Sequence, residues 1–445
     1  MTRARVVRFL VRSRSSPLAL LVLASLGIGA AGCSHTSGPS EATGEARSTL
    51  TRDLSPSVPA ADQTALEDGN ASFAFSAFAA LFDVDGNLAM SPYSLSSALA
   101  MTYAGARGST ASEIATALDF TLPQARLHPA FDWLDLQLAS RANVVESSPS
   151  SNPRPFALHI ANSIWENPQS DFEEPFLDTL AVDYGAGVEL ADLAGNPAGA
   201  TTAINAWTSQ ETNGRITALL PPGAVDSNTT LVSVDALYFD AGWVQPFDKS
   251  QTAPGVFTRT DGTTVQATMM SEAVTLPYAS GSGYQVVELA YEGGMVAMDF
   301  VLPTAGTEAA FEAGLTSQAF TSIVGALQPT LVGLSLPKLN MQGASSSVAA
   351  MLEKLGVHAA FTSAADFTGM THVGSIYIKN VFHEAFVAVD EDGTEAAAAT
   401  GVVFEDGGIV MTEAQMNVDH PFFFTIRDLP TGTILFMGWV ADPTM

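Results

Sequence analysis

The chain has 445 residues, of which 47% are hydrophobic and 14% are charged. A chain of this size and composition can bury a large core and is too apolar to be disordered throughout. Its 46 acidic residues against 18 basic ones give a net charge of -28, which disfavours contact with nucleic acid phosphates and anionic lipid headgroups. A general DNA- or RNA-binding function is therefore excluded.

Residues 1–32 are typical of an export signal. Arginines between Arg3 and Arg14 precede an apolar run from Leu18 to Ala31, which is short for a membrane span of about 20 residues. The run ends in Ala-Ala-Gly followed by Cys33, the only cysteine of the chain. This pattern resembles a bacterial lipoprotein signal, in which the cysteine is lipidated; an ordinary cleaved secretion signal is the alternative.

The segment 33–61 is predicted to be a flexible tether because Ser, Thr, Pro and Gly dominate it. Residues 62–445 contain no second linker, which favours one large domain. Five arginines leave with the signal, so 18 minus 5 basic residues remain against 46 acidic ones, a net charge of -33. We expect a protein of the cell envelope, lipid-anchored or released outside the cytoplasm, in the periplasm, at the outer membrane or in the extracellular medium.

Helical patterns come first along the chain. Apolar residues between Phe73 and Phe82 recur at helical spacing. Ser91 can cap a second helix, with Pro92 at the first helical position. Thr110 and Glu113 have the spacing of a capping box for a third. The sequence therefore predicts three helices in the first third of the chain.

Strand patterns follow in the middle and last thirds. The segments 231–239 and 376–389 are rich in Val, Ile, Phe and Tyr, and 421–439 indicates a hairpin around 428–432. Helices come early and strands late, without regular βα alternation. An α+β fold is therefore predicted.

The motifs of common enzymes are missing from the sequence. Its seven histidines are scattered, without an HExxH pair or a close cluster, so no metal site is expected. There is neither a GxSxG elbow nor a phosphate-binding GxxxxGK[ST] loop. We expect no cofactor and no enzymatic activity.

Seven segments, in order, resemble the serpin family of serine protease inhibitors. They are NLAMSPYSLSSALAMTYAGARGSTASEI from Asn87, INAWTSQETNGRITALL from Ile204, LVSVDALYFDAGWVQPF from Leu231, LPKLNM from Leu336, LGVHAAFTSAADFTGM from Leu355, HEAFVAVDEDGTEAAAAT from His383 and HPFFFTIRD from His420. The resemblance implies a serpin fold, with about eight to nine helices around three β-sheets and an exposed reactive-centre loop.

The stretch from Asp390 to Val403 combines a strand end, a glycine and a run of small residues. These residues alone leave open a surface helix, a flexible linker or a segment that becomes a strand. The resemblance implies the hinge of the reactive loop, which inserts into the central sheet after cleavage. The hinge residues are then Glu391, Gly393, Thr394, Glu395, Ala396, Ala397, Ala398, Ala399 and Thr400.

The resemblance also assigns residues within the sheet region. It places Ser91, Ser94, Asn205 and His383 in a polar cluster beneath the central sheet that controls its opening, and Trp243 where the loop first enters. The residues alone are equally compatible with buried polar groups that satisfy one another and a core tryptophan. Asp235 stands where the family more often has asparagine, which puts a titratable group in a buried strand.

The scissile bond is predicted within residues 404–411. The candidates are Phe404, Glu405, Asp406, Gly407, Gly408, Ile409, Val410 and Met411. Glu405 or Asp406 would suit an acid-preferring protease, Phe404 or Met411 a chymotrypsin-like one, and Val410 an elastase-like one. No Arg or Lys lies between 401 and 417, which disfavours a trypsin-like target.

Two functions remain open. The first is irreversible inhibition of a serine or cysteine endopeptidase by a monomeric protein whose partner is the target protease. The second is a non-inhibitory serpin with a binding or chaperone function. Large side chains would obstruct insertion, at about 1–3 kcal/mol each, so the small residues after Gly393 favour inhibition. Membrane contact is expected only through a lipid on Cys33.

Overall fold

The computed structural model describes residues 44–146, 156–342, 346–372, 376–394 and 412–445. In this part of the chain the α-helices are α1 (Ala60–Leu81), α2 (Pro92–Gly105), α3 (Gly108–Ala117), α4 (Gln124–Ala139), α5 (Arg141–Glu146), α6 (Glu174–Tyr184), α7 (Pro197–Glu211), α8 (Glu308–Ala313), α9 (Ser317–Gly325) and α10 (Ala349–Lys354). Three of these ten described helices have only six residues, which accounts for a count above the expected eight to nine.

The strands of the described residues follow the same chain order. They are β1 (Gly44–Ala46), β2 (Leu88–Met90), β3 (Ala157–Glu166), β4 (Val188–Leu190), β5 (Leu231–Gly242), β6 (Ala253–Thr258), β7 (Thr264–Gly281), β8 (Tyr284–Ala290), β9 (Val296–Pro303), β10 (Gln328–Pro337), β11 (Leu339–Gln342), β12 (Ser346–Ser347), β13 (Ile378–Val389), β14 (Gly393–Thr394), β15 (Ala414–Asn417), β16 (Phe422–Asp428) and β17 (Ile434–Val440). The predicted α+β class is confirmed.

Eight strands form the central sheet, in the order β1-β4-β3-β5-β14-β13-β11, with β12 also paired to β13. Strand β5 is the middle of this sheet. It pairs with β3 in antiparallel fashion and with the first part of β13 in parallel. Every residue of β5 except Asp240 is buried, as expected of a strand covered on both faces.

Nine strands form the second sheet, in the order β15-β10-β7-β8-β9-β16-β17-β2, with β6 paired to β7. Strand β7 has 18 residues and is shared by two groups of neighbours. Its first part pairs with β6 and its last residues with β8. Because β7 is continuous, hydrogen bonds join the described strands into two sheets where three were expected.

Helices cover both faces of the central sheet. Helix α2 contacts β3 and β5 on one face. On the other face, Ala200 and Ile204 of α7 belong to an apolar cluster with Val232 and Val234 of β5. Helix α1 packs with the second sheet, where the ring of Phe78 meets that of Phe423 edge-on at 5.1 Å. Within the described residues, no helix combines the length and apolarity that a bilayer crossing requires.

Several local predictions are confirmed. The apolar stripe around Phe73 and Phe78 lies on α1 and is buried. Ser91 caps α2 by accepting a hydrogen bond from the Ser94 amide, and Pro92 is the first helical residue. The hairpin is formed by β16 and β17.

The prediction of a capping box at Thr110 and Glu113 is wrong. Both residues lie inside α3, which begins at Gly108 without a side-chain cap. Their side chains accept hydrogen bonds from a distant segment instead: Thr110 from the amide of Asp366, and Glu113 from the amides of His358 and Ala359. The described first third of the chain also holds α4 and α5, so the prediction of three helices was too low.

Part of the predicted tether is packed on the domain. Residues 44–59, here called the N-terminal strap, begin with β1, which pairs with β4 at the edge of the central sheet. Further along, Arg52 bridges Asp132 and Asp135 of α4 at 2.6 Å each. The ordered domain therefore begins before residue 62, and residues 1–43 lie outside the described part.

Candidate functional site

The predicted hinge begins as a tight turn at the end of β13. The Asp390 amide donates a hydrogen bond of 2.9 Å to the Gly393 carbonyl, and Val389 pairs with Thr394 across the turn. The returning strand β14 lies between β13 and β5, where Gly393 pairs with Gly242 and Thr394 with Ala241. Gly393 and Thr394 of the predicted hinge therefore already occupy a place in the central sheet.

The rest of this position in the sheet is closed. From Ile378 to Ala385, β13 pairs directly with Leu231 to Leu237 of β5. Strand β14 separates the two only at the last residues of β5. Any further entry of the loop therefore requires β5 and β13 to part along the line that this parallel pairing now holds.

Gly393 is required by the closeness of the two backbones. Its φ is +156°, and a Cβ at this position would lie 2.2 Å from the Ala241 carbonyl oxygen and 2.8 Å from the Gly242 Cα. Neither neighbour is a flexible side chain that can move aside. Glycine is therefore the residue that lets β14 fit beside β5.

Thr394 is completely buried. Its hydroxyl lies 2.5 Å from the Tyr291 hydroxyl, and the two share a hydrogen bond. The Tyr291 ring stacks on Trp243, with centroids 4.4 Å apart and planes 18° apart. Burial raises the pKa of Tyr291 above its ordinary value, so this hydroxyl stays protonated. Thr394 is thus held at the end of β5 by a buried hydroxyl pair, beside two stacked aromatic rings.

Trp243 holds the turn from below. Its indole Nε1 donates to the Asp390 carbonyl and its backbone amide to the Asp392 carbonyl, both at 3.0 Å. The side chain is almost fully buried. Trp243 thus lies directly against the turn that begins the predicted hinge.

Glu391 anchors the outer side of the turn. Its carboxylate pairs with Lys338 Nζ at 2.6 Å and accepts a hydrogen bond of 2.8 Å from the Thr252 hydroxyl. Burial by itself would raise the pKa of Glu391, but the hydrogen bonds from Lys338 and Thr252 outweigh it and leave the pKa below its ordinary value. The hinge is therefore held by a charged contact as well as by backbone pairing.

A second group of polar residues crosses the middle of the sheet. Asn162, Asp235 and His383 are paired neighbours on β3, β5 and β13 and form one row. The Ser91 amide donates to His383 Nε2 at 3.0 Å, so that nitrogen carries no proton. His383 therefore donates from Nδ1 to Asp235. The neutral imidazole joins the start of α2 to β13 and β5.

Ser94 extends this row to the third strand. Its hydroxyl donates to Asn162 Oδ1 and its carbonyl accepts from Asn162 Nδ2, both at 3.0 Å. Ser91, Ser94 and His383 are thus brought together as predicted. The start of α2 is tied to all three strands, two of which must part for the loop to enter.

Asn205 lies outside this cluster, contrary to the prediction. It is on α7, which covers the opposite face of the sheet, and it exchanges hydrogen bonds with the Leu220 backbone at 3.0 and 2.8 Å. Asp235 and Asn162 complete the cluster instead. The sequence signalled Asp235 only as a departure from the family, whereas Asn162 becomes recognisable only from the strand register.

The serine, histidine and aspartate in this row do not form a nucleophilic triad. Ser91 offers its backbone amide to His383, while its hydroxyl caps α2. His383 and Asp235 are both buried, which leaves no access for a substrate. The second carboxylate oxygen of Asp235 and the hydroxyl of Ser233 have no hydrogen-bond partner. The row is a structural link rather than a reaction centre.

Other predicted site residues lie outside the described part of the chain. These are Cys33, residues 395–400 of the hinge and residues 404–411 of the scissile region. Among the described residues, no group of three or more His, Cys, Asp or Glu side chains is arranged to hold a metal ion. A cleft of 540 Å³ opens beside the hinge, lined in part by Lys338, Phe386 and Asp390.

The family model described as "Serpin (serine protease inhibitor)" matches residues 68–443. The chain belongs to the serpin family. It is 34% identical over 375 residues to an uncharacterized serpin-like protein of Thermococcus kodakarensis, with 84% of each chain covered. It is also 33% identical over 389 residues to the leukocyte elastase inhibitor of Bos taurus, covering 85% of this serpin and 99% of the relative.

Solved structures agree with the serpin fold. The native state of the thermophilic serpin tengpin matches with a TM-score of 0.75 and 25% identity, covering 90% of this chain and 99% of the other. Human thyroxine-binding globulin in complex with thyroxine matches with a TM-score of 0.75 and 28% identity, covering 86% and 100%. The proteins similar to this chain thus include one named for elastase inhibition and one named for thyroxine binding.

Proposed function

We propose that this serpin is an irreversible, suicide-substrate inhibitor of a serine endopeptidase, with cysteine endopeptidases as a second target class. The observation that carries the proposal is the position of β14 between β5 and β13, with Thr394 buried beside the last residues of β5. A sheet that already accepts the start of the loop is suited to accept the rest after cleavage.

The residues that follow Thr394 fit such an insertion. Side chains alternate between the two faces of a strand, so an extended chain would point Ala396, Ala398 and Thr400 to the same interior face as Thr394. That face is packed with aromatic residues such as Tyr291, where small side chains cause the least overpacking. Glu395 would point to the opposite face.

The energy of insertion is sufficient for trapping. About ten new ladder hydrogen bonds at roughly 0.5–1.5 kcal/mol each would release on the order of 10 kcal/mol. Slowing deacylation by about a millionfold requires about 8 kcal/mol. The native fold therefore only has to keep the free-energy difference between its uninserted and inserted states behind a kinetic barrier.

The mechanism has three steps. The protease nucleophile attacks a loop carbonyl, the peptide bond breaks, and the new amine leaves with the C-terminal fragment while the acyl group stays on the enzyme. The freed hinge then inserts between β5 and β13 and pulls the attached protease along. Deformation of the protease oxyanion hole stops water from completing the hydrolysis.

The composition of the scissile region bears on the class of target protease. Residues 404–411 offer acidic, aromatic and aliphatic positions but no basic one. The relative from Bos taurus is named as an inhibitor of an elastase, which favours cleavage near Val410 by an elastase-like enzyme.

We further propose that the protein acts as a monomer in the cell envelope, anchored by a lipid on Cys33.

Incubation with elastase, chymotrypsin, subtilisin and a glutamyl endopeptidase tests the proposal. At least one should form a complex that survives SDS, and the mass of the released C-terminal fragment would locate the cut. A non-inhibitory serpin, the alternative suggested by thyroxine-binding globulin, would be cleaved by all of them without such a complex.

Thr394→Arg is expected to convert the inhibitor into a substrate. The arginine would not fit the buried site that Thr394 occupies beside Tyr291, so β14 would leave the sheet and insertion after cleavage would be slower than deacylation. Complex formation should fall at least about tenfold while loop cleavage continues. Thr321→Arg, on the exposed side of α9, is the matched control and should trap normally. Equal trapping by both variants would contradict the hinge assignment.

A further inference from the structure

The N-terminal strap carries an unusual share of exposed apolar side chains. Five large hydrophobic residues are exposed among the described residues: Leu50, Leu54, Val244, Val256 and the terminal Met445. Two of the five, Leu50 at 49% and Leu54 at 73% exposure, lie on the strap. Isolated exposed leucines are common and need no explanation. Their position in the chain and the charge balance of the strap's own residues are what distinguish them.

The strap is held in place rather than loose. Strand β1 pairs with β4, the Asp53 amide donates to the Val182 carbonyl at 3.0 Å, and Arg52 binds two carboxylates of α4. Leu50 and Leu54 lie on either side of Arg52, so they are presented from a backbone that the domain fixes. Their exposure is therefore a property of the folded domain.

The strap is also electrically neutral within a strongly acidic chain. Its charged residues are Glu45, Arg47, Arg52 and Asp53, which cancel, whereas the whole chain has a net charge of -28. A bilayer surface with anionic lipids repels most of such a protein. Contact with a membrane costs least where acidic charge is balanced and apolar side chains are exposed.

The length of the preceding chain brings this strap close to any lipid on Cys33. Ten residues separate Cys33 from Gly44, so a fully extended chain between the two reaches at most about 40 Å. A flexible one would average roughly 20 Å. Such a short connection raises the effective concentration of the strap at the bilayer to about the millimolar range, so weak apolar contacts suffice to orient the domain.

We propose that the N-terminal strap is the face of this serpin that rests on the bilayer, with Leu50 and Leu54 at the boundary between headgroups and acyl chains. The occupant of this surface is a lipid bilayer, zwitterionic rather than anionic. The inference rests on the lipid anchor proposed above and adds an orientation to it. The domain then sits against the membrane by its strap instead of moving freely on a long tether.

Quenching of tryptophan fluorescence by brominated lipids tests this contact. The chain from Cys33 onward is coupled through this cysteine, its only one, to a maleimide-headgroup lipid in phosphatidylcholine nanodiscs. This coupling supplies the anchor whether or not the cell lipidates Cys33. Leu54→Trp places a reporter on the strap, and Val256→Trp places one at another exposed site, on β6. The unsubstituted chain gives the background of the five native tryptophans.

Lipid brominated in the acyl chain is expected to quench the added fluorescence of Leu54→Trp at least about twofold more than that of Val256→Trp. Equal quenching of the two, or none, would overturn the proposal. An unquenched Leu54→Trp signal that shifts with protein concentration would show that a second copy covers the strap, and would overturn it as well. The mass of the N-terminal peptide from the native source tests lipidation of Cys33 separately.

Discussion

The hinge is defined by a few interatomic distances at single residues. Gly393 allows β14 to approach the Ala241 carbonyl, and Thr394 places a hydroxyl where Tyr291 can bond to it. Glu391 holds the outer side of the same turn through Lys338. These residues differ in chemistry but act on one quantity, the stability of the first inserted residues relative to an exposed loop.

Gly393→Ala is expected to expel β14 from the sheet. Its methyl group would meet backbone atoms of β5 at 2.2 and 2.8 Å, and relief requires the strand itself to move. The midpoint of the first unfolding transition in urea should fall by an amount corresponding to about 1–3 kcal/mol. Gly325→Ala is the control, because a Cβ there meets nothing within 4 Å. Equal midpoints for the two variants would contradict the close approach.

The Glu391–Lys338 pair should show measurable coupling. Glu391→Gln, Lys338→Met and the double variant form a double-mutant cycle. The two single losses of unfolding free energy should together exceed the loss in the double variant by about 1–3 kcal/mol, because a mostly buried carboxylate loses its charged partner. The pKa of Glu391 is lower in the folded state, so this stability is present above the ordinary carboxyl pKa and is lost as pH falls through the folded value. Additive losses at pH 7 would show that the pair is solvent-screened.

At the scale of elements, the strap places Arg52 near carboxylates of α4 and α6. Burial first, and then repulsion from Asp132 and Asp53, raises the pKa of Asp183 on α6 to about 6, while Arg52 acts in the opposite direction. The folded protein therefore keeps a proton on Asp183 at a pH where the unfolded chain has released it. Stability from this group falls as pH rises from about 4 to about 6.

Asp183→Asn is therefore expected to stabilise the protein at neutral pH. The amide cannot ionise, so the cost of a charged side chain at this buried position disappears. The melting temperature should therefore rise by a few degrees at pH 7.5 and change little at pH 4. Asp171→Asn, at an exposed carboxylate, serves as the control in calorimetry at both pH values. A gain that is equal at both pH values would remove titration as its cause.

The whole molecule is organised around the central sheet, into which we propose that the cleaved loop inserts. Strands β5 and β13 are paired in parallel over most of their length and separated by β14 only at one end. The row of Asn162, Asp235 and His383, tied to the start of α2, crosses the sheet below that point. Complete insertion has to open this pairing and replace it with two new ladders.

Cleavage of the loop between 404 and 411 is expected to raise the melting temperature by at least about 10 °C, because insertion adds on the order of 10 kcal/mol of ladder hydrogen bonds. Differential scanning calorimetry of the intact and nicked protein measures the change. The Thr394→Arg variant, nicked in the same way, should show a much smaller gain. An unchanged melting temperature after nicking would show that the sheet does not take up the loop.

Features written in consecutive residues were predictable from the sequence. The stripe on α1, the cap at Ser91, strands β5 and β13, and the run of small residues after Gly393 depend on local periodicity or conformation, so they were identified before any packing was known. The ordered seven segments identified the family in the same way. The function of Glu113 could not be predicted in this way, because its carboxylate accepts hydrogen bonds from residues more than 240 positions away.

Only the tertiary structure decided which distant residues meet. Asn205 was grouped with His383, but the central sheet lies between them, while Asn162 and Asp235 stand beside His383 through strand register. The docking of the strap on α4 and the seating of Thr394 under Tyr291 are likewise contacts between distant segments. A local pattern specifies an element and its faces, whereas register, the choice of face and burial arise from packing between elements.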